Sequence, residues 1–142
     1  MMSASGSGGD WILYSDGASR GNPGPAGIGA ALYRVEHGRE ELKARVSEAI
    51  GYATNNVAEY RALIAGLRRA LEEEPRTLTV RCDSQLLIRQ LEGRYRVRNP
   101  GLQPLHREAT SILSGIRHRL EHVRREENSV ADALANAALD RS

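Results

Sequence analysis

The sequence has 142 residues, of which 40% are hydrophobic and 27% charged, and its formal net charge is +2. This length suits one domain with a two-layer core, and every apolar run is shorter than the roughly 20 residues that a membrane-spanning helix requires. A single cysteine, Cys82, excludes an internal disulfide framework and a thiolate zinc site of its own. We therefore expect a monomeric, cytoplasmic protein with no membrane partner.

The first ten residues, MMSASGSGGD, are rich in serine and glycine and lack the basic and apolar regions of a secretory signal. We predict a flexible N-terminal tail over residues 1–10 and a single folded domain over residues 11–142. Arginines are frequent from Arg68 onward. Such runs are more often solvated faces than binding sites, but they suit a polyanionic partner.

Three strands are predicted in succession, over residues 11–14, 28–33 and 42–50, from their apolar runs and partial alternation. The first strand ends at Asp16, and a loop rich in glycine and proline follows it. Consecutive strands joined by short turns predict antiparallel pairing.

The strongest helix signal lies in TNNVAEYRALIAGLRRALEEE, where Tyr60, Leu63, Ile64 and Leu67 repeat at helical spacing. Asn56 is the predicted N-cap of this helix. Its end is predicted before the proline at position 75.

A fourth strand, TLTVRC, is predicted to end at Asp83, and Ser84 to cap a short helix that stops at Gly93. A basic connector over residues 93–104 follows, then a helix over 105–113, a strand over 120–123 and a helix over 129–139. Alternating strands and helices predict parallel crossovers. The whole pattern therefore predicts an α/β fold in which helices flank a mixed sheet.

Four acids occupy positions where ligands collect in such folds, at the carboxyl ends of strands and in the first turns of helices. They are Asp16, Glu59, Asp83 and Asp132. Clustered carboxylates require a cation, and oxygen ligands alone favour Mg²⁺ or Mn²⁺. Two such ions can promote phosphodiester cleavage without a protein nucleophile. The acids therefore predict a nuclease site.

Each acid also has a structural explanation when it is taken alone. Glu59 follows Asn56 at the spacing of a capping box, and Asp132 suits the dipole of its helix. Asp83 precedes a capped helix, and Asp16 with the next glycine resembles a turn. The convergence of all four on one sheet edge favours the functional explanation.

Four segments together resemble the signature segments of type 1 ribonuclease H: YSDGASRGNPGPAGIG, TNNVAEYRALIAGL, RCDSQLLIRQLEG and NSVADALANAAL. The resemblance covers nearly everything from residue 11 to 139. It implies a ribonuclease H-like fold, with a five-stranded mixed sheet flanked by helices. It also implies a metal-dependent endoribonuclease that hydrolyses the RNA strand of RNA/DNA hybrids with two metal ions, leaving 5′-phosphate and 3′-hydroxyl ends.

The resemblance assigns roles to individual residues. The four acids match the metal-binding and catalytic acids of the family, with Mg²⁺ as the expected cofactor and Mn²⁺ as the alternative. An RNA/DNA hybrid is the implied partner. Candidate contacts to it are Gly17, Ala18, Ser19 and Asn22 in the first segment, Thr54, Asn55 and Asn56 in the second, and Gln85 in the third.

Two features depart from the family pattern. Some members insert a basic helical protrusion that grips the duplex, whereas residues 93–104 form only a connector, in which Arg94, Arg96 and Arg98 partly replace that charge. The mobile, histidine-bearing loop of many members is also replaced by a short link. We expect Arg125 rather than His122 to act there, with solvent exposure as the alternative for both.

Other functions fit the sequence less well. A strand-transfer or junction-cutting nuclease of the same fold usually lacks the combined Asp-Gly and Thr-Asn-Asn pattern. A hybrid-binding module without activity is expected to have lost at least one acid. A sugar-kinase or actin-like ATPase needs a second lobe, and the GIGAAL segment lacks the third glycine of a dinucleotide-binding turn.

Overall fold

The computed structural model describes residues 8–142. In chain order the elements are β1 (Asp10–Ser19), β2 (Gly24–Glu36), β3 (Arg39–Ala53), α1 (Asn55–Leu71), β4 (Thr77–Cys82), α2 (Gln85–Leu91), α3 (Gln103–Ser114), β5 (His118–His122), a 3₁₀ helix (Arg125–Asn128) and α4 (Ser129–Arg141). Residues 1–7 of the predicted tail lie outside the described residues. Asp10 already belongs to β1, where it accepts hydrogen bonds from Arg76 and Thr77.

The five strands form one sheet in the order β3-β2-β1-β4-β5. The pairs β1–β2 and β2–β3 are antiparallel, whereas β1–β4 and β4–β5 are parallel. The predicted mixed α/β sheet is therefore confirmed. Arg81 ties the parallel half together by donating hydrogen bonds to the Tyr14 hydroxyl and to Glu121, at 2.7 and 2.8 Å.

Helices cover both faces of the sheet. The main core lies on the α1 face, where Leu13 of β1 and Val80 of β4 pack with Tyr60 and Leu63 of α1 and Leu113 of α3. Helix α4 contacts β1, β2 and β3 on the other face. Within residues 8–142, no helix has the length and apolar character needed to cross a membrane.

Strand β1 is longer than predicted, and Asp16 does not end it. Pairing with β4 stops at Tyr14, but the antiparallel ladder with β2 continues through Asp16 to Ser19. Small and polar residues obscured this continuation in the sequence, and β2 and β3 likewise extend beyond their predicted limits. Asp16 therefore lies inside a two-stranded ladder, just beyond the end of its parallel neighbour.

The predicted N-cap of α1 was wrong by two residues. Thr54 is the N-cap, with extended backbone angles and a hydroxyl that accepts a hydrogen bond from the Val57 amide. Asn56 lies within the first turn, so Glu59 is the fifth helical residue and cannot complete a capping box with it. The predicted cap at Ser84 is confirmed, because its hydroxyl accepts from the Leu87 amide.

The segment between α2 and α3, residues 92–102, contains neither helix nor strand. Gly93 ends α2 with a φ of 81°, and Leu102 is buried where α3 begins. Arg94, Arg96 and Arg98 are exposed between these two fixed points. The predicted basic connector is therefore confirmed, although α3 begins at Gln103, two residues earlier than predicted.

Glycines allow α4 to approach the sheet closely. An added Cβ at Gly29 would overlap the backbone carbonyl oxygen of Ala131, and one at Gly27 would lie 2.5 Å from that of Ala135. Real Cβ atoms do not approach backbone oxygens so closely. The distance between β2 and α4, and with it the position of Asp132, therefore depends on these two glycines.

We predict that Gly29→Ala lowers the free energy of unfolding by about 1–3 kcal/mol, because the methyl group forces α4 away from β2. Urea unfolding followed by circular dichroism measures this change. Gly115→Ala is the matched control, since its Cβ would lie 3.6 Å from the nearest oxygen, and we expect it to alter stability by less than about 0.5 kcal/mol. Equal stabilities for the two variants would contradict the close contact.

Candidate active site

Three carboxylates meet at the edge of the sheet. Asp16 comes from β1, Glu59 from α1 and Asp83 from the residue after β4, and one oxygen from each lies within 4.8 Å of the others. Asp132, in the first turn of α4, lines the same groove as these three acids. The structure thus brings together all four acids that the sequence singled out.

The sheet register places two of these acids side by side. Tyr14 of β1 pairs with Arg81 of β4 in the parallel ladder, so Asp16 and Asp83 each follow two residues later at the same edge. Both strands therefore deliver a carboxylate to one point, as expected for the carboxyl ends of parallel neighbours.

Close packing of α1 on β1 positions the third acid, Glu59. A Cβ at Gly17 would overlap the backbone of Ala58 and Glu59, so only glycine permits this approach. The buried Tyr60 hydroxyl then donates to the side-chain oxygen of Gln90 in α2 at 2.7 Å. This bond fixes α1 relative to the helix that follows Asp83.

Burial and mutual repulsion disfavour the ionised acids. Asp16 is only 9% exposed. Its burial, followed by the charge of Asp83 and the contact with Asp132, raises its pKa to about 8. Burial also raises the pKa of Glu59 to about 7, against the opposing effect of a hydrogen bond from Ser84. The site therefore attracts either protons or a cation.

The donor set fits a divalent metal ion. The ligands that converge are carboxylate oxygens, which bind hard divalent cations and provide the negative charge that such ions neutralise. Asp132 lies outside this trio but lines the same groove, and its charge also raises the pKa of Asp16. The four carboxylates together can therefore hold divalent cations.

A polar groove opens onto the acids. Besides the four carboxylates, it is lined by Gly17, Ala18, Ser19, Asn55, Asn56, Ser84, Arg125 and Asn136. Backbone amides and short polar side chains dominate this lining. It can therefore accept a sugar–phosphate strand without steric obstruction from large side chains.

Hydrogen bonds hold one wall of the groove in place. The Ser19 amide donates to the Asn55 side chain at 3.0 Å, and the Asn55 amide donates to the Asn22 side chain at 3.1 Å. The turn after β1 and the start of α1 are thus joined directly.

Three of the predicted hybrid contacts lie outside the groove lining. The Asn22 side chain accepts a hydrogen bond from the Asn55 amide, and the Thr54 hydroxyl caps α1. Gln85 is exposed in the first turn of α2. Their contacts with a hybrid stay predictions.

The two candidates for the family's loop histidine differ in position. Arg125 is exposed in the 3₁₀ helix and lines the groove beside the acids. His122 ends β5, where its Nε2 lies 3.3 Å from the Asp83 carbonyl oxygen. Arg125 thus lies where a strand in the groove could contact it, whereas His122 contacts the backbone of Asp83.

Two residues near the acids were missed by the sequence analysis. Ser84, predicted only as a helix cap, also lines the groove, and its hydroxyl counteracts the rise in the pKa of Glu59. Asn136 lines the groove and contacts Asp132. The available signal for Asn136 was its position four residues after Asp132, on the same side of the final helix.

Comparison with known proteins places this geometry in a family. The model of the reverse transcriptase-like family matches residues 14–138. A bifunctional protein of Mycobacterium tuberculosis is 45% identical over 130 residues, which cover 91% of this chain and 35% of that protein. The chain thus spans about a third of the length of this relative.

Solved structures agree in fold and sequence. The crystal structure of RNase H1 from Halobacterium salinarum matches with a TM-score of 0.88 and 42% identity, covering 94% of this chain and 99% of that one. LC11-RNase H1, solved in complex with an RNA/DNA hybrid, matches with a TM-score of 0.84 and 36% identity, covering 92% and 97%. With four acids in the predicted places and a sheet of the same topology, this chain is a member of the type 1 ribonuclease H family.

Proposed function

We propose that this chain is an endoribonuclease that hydrolyses the RNA strand of RNA/DNA hybrids. The observation that carries the proposal is the meeting of Asp16, Glu59 and Asp83 within 4.8 Å at the end of a polar groove. The hybrid bound to the similar LC11-RNase H1 supports this choice of substrate.

We propose Mg²⁺ as the cofactor, with Mn²⁺ as the alternative; Asp16, Glu59, Asp83 and Asp132 would hold it. When bound, a pair of such ions supplies activation of a water molecule and stabilisation of charge on the leaving oxygen. Attack of the water at phosphorus breaks the P–O3′ bond, which leaves a 5′-phosphate on one fragment and a 3′-hydroxyl on the other.

The chain's own residues position the substrate. Gly17 lets the start of α1 pack directly against β1, so that Asn55 and Asn56 line the groove beside the acids. Ser19, Asn55 and Asn56 offer hydrogen-bonding groups suited to the 2′-hydroxyls that distinguish RNA from DNA. Arg125 offers a fixed positive charge for a phosphate, since a guanidinium cannot exchange protons at ordinary pH.

The experiment that tests this function compares labelled substrates in the presence and absence of Mg²⁺. We expect cleavage of an RNA/DNA hybrid, with 5′-phosphate products, and little cleavage of single-stranded RNA, duplex RNA or duplex DNA. Equal cleavage of duplex DNA would indicate a different nuclease of this fold. Binding of hybrid without cleavage would indicate a binding module.

We predict that Asp16→Asn and Asp83→Asn each abolish hybrid cleavage at saturating Mg²⁺, because both carboxylates are needed to hold the cations. Circular dichroism should show an unchanged fold for both variants. Asp140→Asn, which alters an exposed acid on α4, is the control and should cleave normally. Turnover at the wild-type rate in either active-site variant would contradict the assigned metal site.

The raised pKa values also predict how stability depends on pH in EDTA. The pKa of Asp16 rises from 3.8 to about 8 on folding, and that of Glu59 from 4.5 to about 7. The folded protein therefore binds protons that the unfolded chain has released, so stability falls as the pH rises through this range. Asp16→Asn removes the largest contribution to this loss.

Accordingly, we predict that Asp16→Asn is more stable than the wild type in EDTA at about pH 8, by on the order of 1 kcal/mol or more. The difference should narrow towards about pH 5, where the wild-type acid is protonated. Mg²⁺ should also narrow the difference in stability, since the cation stabilises the wild type more than the variant. Urea unfolding at both pH values measures the effect, and a variant less stable than the wild type at pH 8 would show that Asp16 is structural.

Alanine variants of Arg125 and His122 test which of the two residues acts in the short link before α4. We predict that Arg125→Ala lowers kcat severalfold or more, because the side chain lines the groove beside the acids. His122→Ala should change kcat little, because its ring lies against the Asp83 carbonyl oxygen and is not part of the groove lining. Steady-state kinetics with the hybrid measure both, and the reverse ranking would return the role to His122.

A further inference from the structure

Asp132 is the acid whose position is least determined by the sheet. The other three belong to β1, to the residue after β4 and to α1, which packs against β1 at Gly17. Asp132 projects from α4, on the opposite face, and it falls outside the trio that lies within 4.8 Å. Its carboxylate therefore needs local contacts to hold its orientation.

Asn136 supplies such contacts from the next turn of α4. Its side-chain amide donates to Asp132 Oδ1 at 3.3 Å and to the Asp132 backbone oxygen at 3.0 Å. The side chain is half-buried and lines the groove together with the acids. One amide group thus links the carboxylate to the backbone of its own helix.

An amide that donates to one oxygen of a carboxylate limits rotation of the group and leaves the other oxygen for a cation. Hydrogen-bonded partners of metal-binding carboxylates typically change metal affinity or activity by about 10- to 100-fold when they are replaced. We propose that Asn136 is a positioning residue that orients the Asp132 carboxylate for binding of a cation in the groove. This inference rests on the proposed function only in identifying the acids as metal ligands.

A second contact of the same region offers a different explanation, which the experiment must separate. Arg20, in the turn after β1, pairs with Asp140 at 2.6 Å and also reaches the Asn136 backbone oxygen at 3.5 Å. These contacts attach the later part of α4 to the turn after β1. A change at Asn136 could act through this attachment instead of through the Asp132 carboxylate.

Four variants distinguish the two explanations. Asn136→Ala removes the amide without adding charge and favours the helix, so the fold should persist. Asn136→Gln restores an amide at the i+4 position, from which it can hydrogen bond the aspartate. Asp140→Ala breaks the pair with Arg20 but leaves Asp132 and Asn136 in place. Asp132→Ala shows the full effect of losing the acid.

The primary readout is Mn²⁺ binding by isothermal titration calorimetry, which does not depend on cleavage. We expect Asn136→Ala to weaken binding by about tenfold, in the same direction as Asp132→Ala but by less. Asn136→Gln should recover most of the affinity, and Asp140→Ala should bind like the wild type. In hybrid cleavage, Asn136→Ala should raise the Mg²⁺ concentration for half-maximal rate while KM for the hybrid changes less than about twofold.

Three results would overturn the assignment. They are wild-type metal binding in Asn136→Ala, an equal loss in Asp140→Ala, and no recovery in Asn136→Gln. If the wild type binds Mn²⁺ but cleaves no hybrid, the proposed function fails, while the calorimetric comparison still decides the role of Asn136.

Discussion

The concentration of negative charge at one sheet edge is the constraint on which this structure depends. Asp16 is almost completely buried, and Glu59 and Asp83 lie within 4.8 Å of it. Folding therefore removes these carboxylates from water and brings them together, and both effects oppose the folded state. A cation bound by these carboxylates offsets both effects, so its binding stabilises the folded state.

The small residues around the site follow from this constraint. Gly17 lets α1 bring Glu59 to Asp16, and Gly27 and Gly29 let α4 bring Asp132 from the other face. Carboxylate side chains are short, so their oxygens converge only where the backbones that carry them are close. The glycines in β1 and β2 thus allow the helices to pack close to the strands, although in the sequence these glycines resemble parts of a loop.

Much of the site could be predicted because strand order constrains it. Asp16 and Asp83 each lie just beyond the last pair of the parallel β1–β4 ladder, and parallel neighbours bring such residues to one edge whatever the details of the loops. The cap at Thr54 could not be separated from Asn56 by sequence alone, since three consecutive residues are all good caps. Strand β1 continues to Ser19 only because β2 pairs with it, which no local pattern in the sequence reports. The contact between Asn136 and Asp132 depends on side-chain rotamers, which helical spacing permits but does not require.

The connector between α2 and α3 is a place where the chain can be lengthened. Its two ends are fixed independently, by the turn at Gly93 and by the buried Leu102, and the residues between them are mostly exposed. Lengthening a surface loop is inexpensive, because doubling its length costs only about 0.6 kcal/mol in closure entropy. A segment inserted here would enlarge the surface between α2 and α3 while both helices keep their own anchors. The cluster of acids and this part of the surface can therefore change separately, with the connector as the point of insertion.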